Sequence, residues 1–171
     1  TLDEVIQRAE TRLLDCQSED GHWIFPLEAD VTIPAEYILL NHYLGEINDE
    51  VETKLANYIR RIQSEHGGWP LYHAGEFNVS ASVKAYFALK LSGDDPEAPH
   101  MTKARDAILA HGGAKEANVF TRITLALFGL VPWQATPVTR IEVLFAPKWF
   151  PLHINKVSYW TRTVTVPLLI L

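Results

Sequence analysis

Carboxylates are the first side chains in this 171-residue chain whose placement suggests chemistry. Asp94 and Asp95 stand together in Ser92-Gly93-Asp94-Asp95-Pro96, a composition that predicts a polar turn. Solvated there, both keep an ordinary carboxyl pKa of about 4. Glu36 is the opposite case, enclosed by Ala35, Tyr37, Ile38, Leu39 and Leu40. A carboxylate on so apolar a helix either faces outward or finds a cation, and Lys84, inside Val83-Lys84-Ala85-Tyr86-Phe87-Ala88-Leu89, is the candidate. The seven histidines show no metal-ligand spacing, His66 and His73 straddling a turn, so no metal site is expected. Cys16 has no second cysteine to pair with and reads as a small buried apolar group.

These residues need elements to hold them, and the chain supplies the elements as a repeat. Arg8, Ala9, Leu13, Gln17, Gly21 and Trp23 recur as Lys54, Leu55, Ile59, Gln63, Gly67 and Trp69 under one shift of 46 residues, the mark of a helical repeat array. In the first copy Leu2, Val5, Ile6, Ala9, Leu13 and Cys16 fall at three- and four-residue steps, so a helix ends near Gln17. Ser18-Glu19-Asp20-Gly21 then reads as a turn, with Gly21 free to take a positive φ before Trp23. The second copy puts Leu55, Tyr58, Ile59 and Ile62 on one face and turns through Ser64-Glu65-His66-Gly67-Gly68 into Trp69. The Gln amide is placed to satisfy orphan backbone groups at the end of a neighbouring helix while the indole stacks over it. Each such pair is expected to clasp adjacent repeats.

A second apolar helix follows each clasp, around residues 35–40 and 83–89, bounded by Gly45 with Asn48 and by the 92–96 turn. A fainter third copy begins at Lys103-Ala104 and runs to His111-Gly112-Gly113 without Gln or Trp; its second helix reads as 120–128. Amphipathic outer helices paired with apolar inner ones predict an all-α fold, an α-α barrel (toroid) or solenoid in which each repeat buries its neighbour's face. Pro132-Trp133, Pro137 and Pro147-Lys148-Trp149-Phe150-Pro151 read as a rigid connector over 131–151, ahead of an apolar helix over 157–171. The net charge of −6, with no basic cluster beyond Arg60-Arg61, argues against a nucleic-acid partner. Thr1 stands where a helix starts, and the run Val166-Pro167-Leu168-Leu169-Ile170-Leu171 lacks a polar cap, so the chain is expected to belong to a longer protein that covers this helix.

The unit Gln-x-x-x-Gly-x-Trp, preceded by an aliphatic position and a basic residue, resembles the QW repeat of triterpene cyclases. Leu13-Leu14-Asp15-Cys16-Gln17, Ala35-Glu36-Tyr37-Ile38-Leu39-Leu40, Val83-Lys84-Ala85-Tyr86-Phe87-Ala88-Leu89-Lys90, Asn118-Val119-Phe120-Thr121-Arg122 and Val157-Ser158-Tyr159-Trp160 narrow that to the N-terminal part of bacterial squalene-hopene cyclases. The likeness runs through essentially the whole chain, in order.

What the resemblance implies is a longer, two-barrel helical enzyme on the cytoplasmic side of the membrane, peripheral or monotopic. Such enzymes fold squalene or a related polyprenoid in an apolar cavity and protonate it, driving ring closures to hopene and hopanol without a cofactor. The family's acid is the middle Asp of an Asp-x-Asp-Asp motif, and Gly93-Asp94-Asp95 lacks the earlier Asp. Protonating an alkene demands an acid held away from water, so this chain alone is expected to be inactive, with the remainder of the cyclase as its partner. By the same resemblance Trp160 is a cavity indole able to stabilise a passing carbocation by about 0.5–2 kcal/mol. Glu36 holds the terminating water, Phe120 belongs to an aromatic wall, and Lys84 lies beside Glu36. Gln17, Gly21, Trp23, Gln63, Gly67 and Trp69 are structural. Some relatives have Glu at Lys84, Arg at Asn118, Trp at Thr124 and Pro at Arg140, so a Lys84–Glu36 ion pair is expected to replace part of the water network. Two other classes compete. A non-catalytic helical interaction module calls for a polar inner surface and capped ends, and another α-α barrel enzyme, such as a prenyltransferase subunit, calls for Asp/Cys/His zinc ligands.

Overall fold

The computed structural model describes residues 1–25, 30–136, 140–151 and 153–169. Its α-helices are α1 (Leu2–Asp15), α2 (Thr32–Leu44), α3 (Asp49–Arg61), α4 (Val79–Leu91), α5 (Pro99–Ala110), α6 (Val119–Leu127) and α7 (Tyr159–Leu168). Among the described residues there is no strand, only an isolated bridge between Gln17 and Trp23. Pro137 of the anticipated connector and residues 170–171 of the anticipated last helix lie outside the described residues.

Local chemistry sets the boundaries. The side chains of Asn48, Asn78, Asn118 and Ser158 each accept from an amide three residues on, which caps α3, α4, α6 and α7. At α1 the Thr1 side chain accepts from the Glu4 amide in a capping box, and α5 opens on Pro99, where a missing N–H costs nothing. Gly45 ends α2 in the left-handed conformation, φ 72°, as its place after the apolar run suggested.

The hub of the core is α4, which buries Ala81, Ser82, Val83, Lys84, Ala85, Ala88 and Leu89 and packs against α2, α3, α5 and α6. Onto it α2 lays Pro34, Ala35, Ile38 and Leu39, α3 lays Ala56 and Ile59, and α5 lays Met101 and Ala104. The all-α architecture of apolar inner and amphipathic outer helices is therefore as the periodicity indicated.

The first helix departs from that scheme. No residue of α1 is buried, and Leu2, Val5, Ile6, Leu13 and Leu14 all stand exposed. Its apolar side is covered by no other helix among the described residues. The expectation that every repeat buries its neighbour's face thus holds for α2 to α6 and fails for α1, while α7 likewise buries no residue.

Candidate functional site

The clasp is complete in the second repeat. Gln63 Nε2 donates to the Gly67 carbonyl at 2.6 Å and across to the His100 carbonyl, in the first turn of α5, at 3.0 Å. Trp69 is 0% exposed; its Nε1 donates to the Ile59 carbonyl at 2.8 Å, satisfying one of the orphan acceptors at the end of α3. Its backbone amide donates to Ser82 Oγ on α4 at 2.9 Å. Gly67 has φ 92°, and a Cβ there would lie 2.8 Å from the Lys103 carbonyl, so α5 rests on the bare glycine backbone.

Only the local half forms in the first repeat. Gln17 Nε2 donates to the Gly21 carbonyl at 2.6 Å and Trp23 Nε1 to the Leu13 carbonyl at 2.7 Å. Trp23 is 45% exposed, and a Cβ on Gly21 would approach nothing nearer than Gln17 Nε2 at 3.8 Å. Gln17, Gly21 and Trp23 therefore close their own turn but clasp no neighbouring helix among the described residues. Among the described residues, the inter-repeat bond anticipated from the sequence is made by Gln63 and not by Gln17.

Glu36 and Lys84 do meet. Lys84 Nζ donates to Glu36 Oε1 at 2.6 Å across the α2–α4 contact, with side chains 6% and 52% exposed respectively. One turn before Lys84 on α4, Ser80 Oγ accepts the Asn118 amide at 2.8 Å, which seats the start of α6 on the same stretch of α4. Phe120, in the first turn of α6, is half-exposed there. α2, through Glu36, and the start of α6, which carries Phe120, thus both meet the first half of α4, which carries Lys84. Around Glu36 on α2, the exposed residues one turn away are the apolar Ile33 and Leu40, with the exposed phenol of Tyr37 adjacent. Trp160 stands in the first turn of α7, 75% exposed, and no hydrogen bond or ring contact among the described residues joins it to that group.

Asp94 is not the solvated turn carboxylate anticipated from its neighbours. Its side chain is 6% exposed and bound by Arg60, through Nε at 3.0 Å and through Nη2, and by His100 Nε2 at 2.6 Å. Burial pushes this carboxyl up, but the hydrogen bonds and charges of Arg60 and His100 outweigh it and hold the pKa below the ordinary value. The same bond raises Arg60. Asp94 is therefore a fixed anion that ties α3 to the start of α5, beside the Gln63 bond to the His100 carbonyl. It cannot donate a proton to an alkene because it is held ionised, a different reason from solvation. Residues brought together over 34 positions leave no local signal in the sequence, and neither does Ser82, whose hydroxyl receives the Trp69 amide.

The chain matches the squalene-hopene cyclase N-terminal domain over residues 6–171. It belongs to the squalene-hopene cyclase family. Among its relatives, the squalene-hopene cyclase of Zymomonas mobilis is 60% identical over 171 residues, and that of Bradyrhizobium diazoefficiens is 59% identical over 171. The squalene-hopene cyclase of Alicyclobacillus acidocaldarius is 37% identical over 163 residues. These alignments cover 99%, 99% and 95% of this chain but 26% of each relative, so the chain spans about a quarter of the length of the curated relatives it matches.

Proposed function

We propose that the full-length protein to which this stretch corresponds converts squalene to hopene and hopanol by protonation-initiated cyclization. In this reading residues 1–171 furnish part of the cavity wall and the site where the final cation is quenched, and the acid lies elsewhere in the polypeptide. The observation that carries the reading is the 60% identity to a squalene-hopene cyclase along the whole chain. The Lys84–Glu36 pair supports it, since it sets a carboxylate oxygen among apolar side chains, where a hydrocarbon could lie against it. Trp160 offers an indole face for cation stabilisation, worth about 0.5–2 kcal/mol, and Phe120 adds an aromatic wall. The enzyme works as a peripheral protein on the cytoplasmic side of the membrane, from which it draws squalene. The test is to incubate the full-length protein with detergent-dispersed squalene and separate the products by gas chromatography and mass spectrometry. Pentacyclic hydrocarbon and alcohol are the expected products; recovery of squalene alone, from folded protein, would refute the assignment.

A further inference from the structure

A lysine buried to the degree of Lys84 is tolerated only when an anion answers it. Among the described residues its ammonium has one partner, Glu36 Oε1 at 2.6 Å. The second carboxylate oxygen, Oε2, accepts no hydrogen bond from any described residue, and Glu36 stands exposed between Ile33, Tyr37 and Leu40. The cation therefore lies beneath the carboxylate, inside the helix packing, and the carboxylate faces outward beside the apolar Ile33 and Leu40 and the ring of Tyr37.

Resting on the function proposed above, we infer that Lys84 is a positioning residue for the last step of the reaction. It fixes Glu36 by one oxygen, leaves the other free as acceptor, and cancels the net charge of the pair. When the last ring has closed, a C–H bond next to the cationic carbon breaks, its electron pair becomes the C=C bond, and the proton passes to Oε2 directly or through a water molecule. In the hydrating branch that water forms the C–O bond and gives its proton to the same oxygen. Release of this proton to solvent balances the one added at initiation. An ammonium without its carboxylate would face the carbocation with like charge, and a carboxylate without its ammonium would draw extra water to Oε1.

The charge algebra makes the two single substitutions unlike each other and unlike their combination. In the full-length enzyme acting on squalene, Glu36→Gln leaves a bare buried ammonium and is expected to lower turnover tenfold or more. Lys84→Met frees Oε1 for water and raises the alcohol-to-hydrocarbon ratio several-fold. The double variant Glu36→Gln/Lys84→Met, with neither charge, turns over several-fold faster than Glu36→Gln because no buried ammonium faces the cation, but stays below wild type because no carboxylate accepts the proton. Lys84→Arg, which keeps a donor on Oε1, retains the wild-type product ratio. A purely structural lysine would change the melting temperature and total rate but not the product ratio. Folded Lys84→Met with the wild-type ratio overturns the inference, as does a double variant no faster than Glu36→Gln. If Lys84→Met does not fold, the charge-free double variant, which has no isolated buried charge, decides the matter. A wild-type protein inert toward squalene removes the proposed function itself, and this inference with it.

Discussion

Replacing Asp94 by Asn tests whether the anion between α3 and α5 holds the second and third repeats together. Asp94 accepts from Arg60 and His100 at a site where the carboxylate is buried, and hydrogen bonds to a charged group are worth about 1.5–3 kcal/mol each. Asn keeps one acceptor oxygen but must turn its NH2 toward one of two donors. Water reaching Arg60 and His100, each about a third exposed at 35% and 31%, recovers part of the loss. The net cost at neutral pH is therefore about 2–4 kcal/mol, or roughly 5–15 °C in melting temperature for a chain of this size. The pH dependence follows from the sign of the shift. The folded carboxyl titrates below its unfolded value of about 3.9, so its stabilisation is complete above that value and is lost as pH falls through the lower folded one. Urea unfolding followed by circular dichroism, at pH 7 and through the range below pH 4, measures both effects. A variant within about 1 kcal/mol of wild type at pH 7, with the same acid-side slope, would refute the clamp.

The two tryptophans of the repeat are expected to differ although their motifs match. Trp69→Ala removes a fully buried indole and should cost about 3–5 kcal/mol in chemical denaturation, whereas Trp23→Ala in the same chain should cost well under half of that. Gly67→Ala must strain a φ of 92° and displace the Lys103 carbonyl, so it should lower the melting temperature more than Gly21→Ala, where φ is 89° but the space is open. Hydrogen exchange should be fast throughout α1, which buries nothing, and slowest in α4; protection of α1 equal to that of α4 in the 171-residue chain would contradict its exposure. The same chain incubated with squalene should yield no cyclic product, and any turnover would show that an acid within it suffices.

Period and composition made the helices legible, with the Gly45 stop and the turn at Asn48 marking local boundaries, but α5 starts at Pro99, earlier than the third copy read from Lys103. The Gln–Gly–Trp units were legible too, since Gln63 to Gly67 and Trp69 to Ile59 are short-range bonds within one repeat. What the repeat could not convey is that its two copies would be used differently. Identical motifs close identical turns, but whether Trp23 or Trp69 is buried depends on which helix arrives next, and that is a property of α5 against Gly67, not of the motif. Asp94 misled for a related reason. Ser92, Gly93, Asp95 and Pro96 all say turn and solvent, and Arg60 with His100, which bury it, come from other helices. The Lys84–Glu36 pair stood between these cases. Two charges in separate apolar runs must find each other or water, so the sequence could name the partners without saying which would be buried.

That last distinction separates a structural ion pair from one that can act on a substrate. At Asp94 the carboxylate is the buried member and its cations lie toward solvent, 6% exposed against 35% and 31%; every strong acceptor is consumed and nothing anionic is presented outward. At Glu36 the order is reversed, the ammonium being 6% exposed and the carboxylate 52%. The interior there stabilises a negative charge that it displays. Both carboxylates are paired with cations, but only the second keeps an acceptor turned outward, and that asymmetry of burial, more than the identity of the residues, is what the role proposed for Glu36 rests on, whereas Asp94 ties helices together.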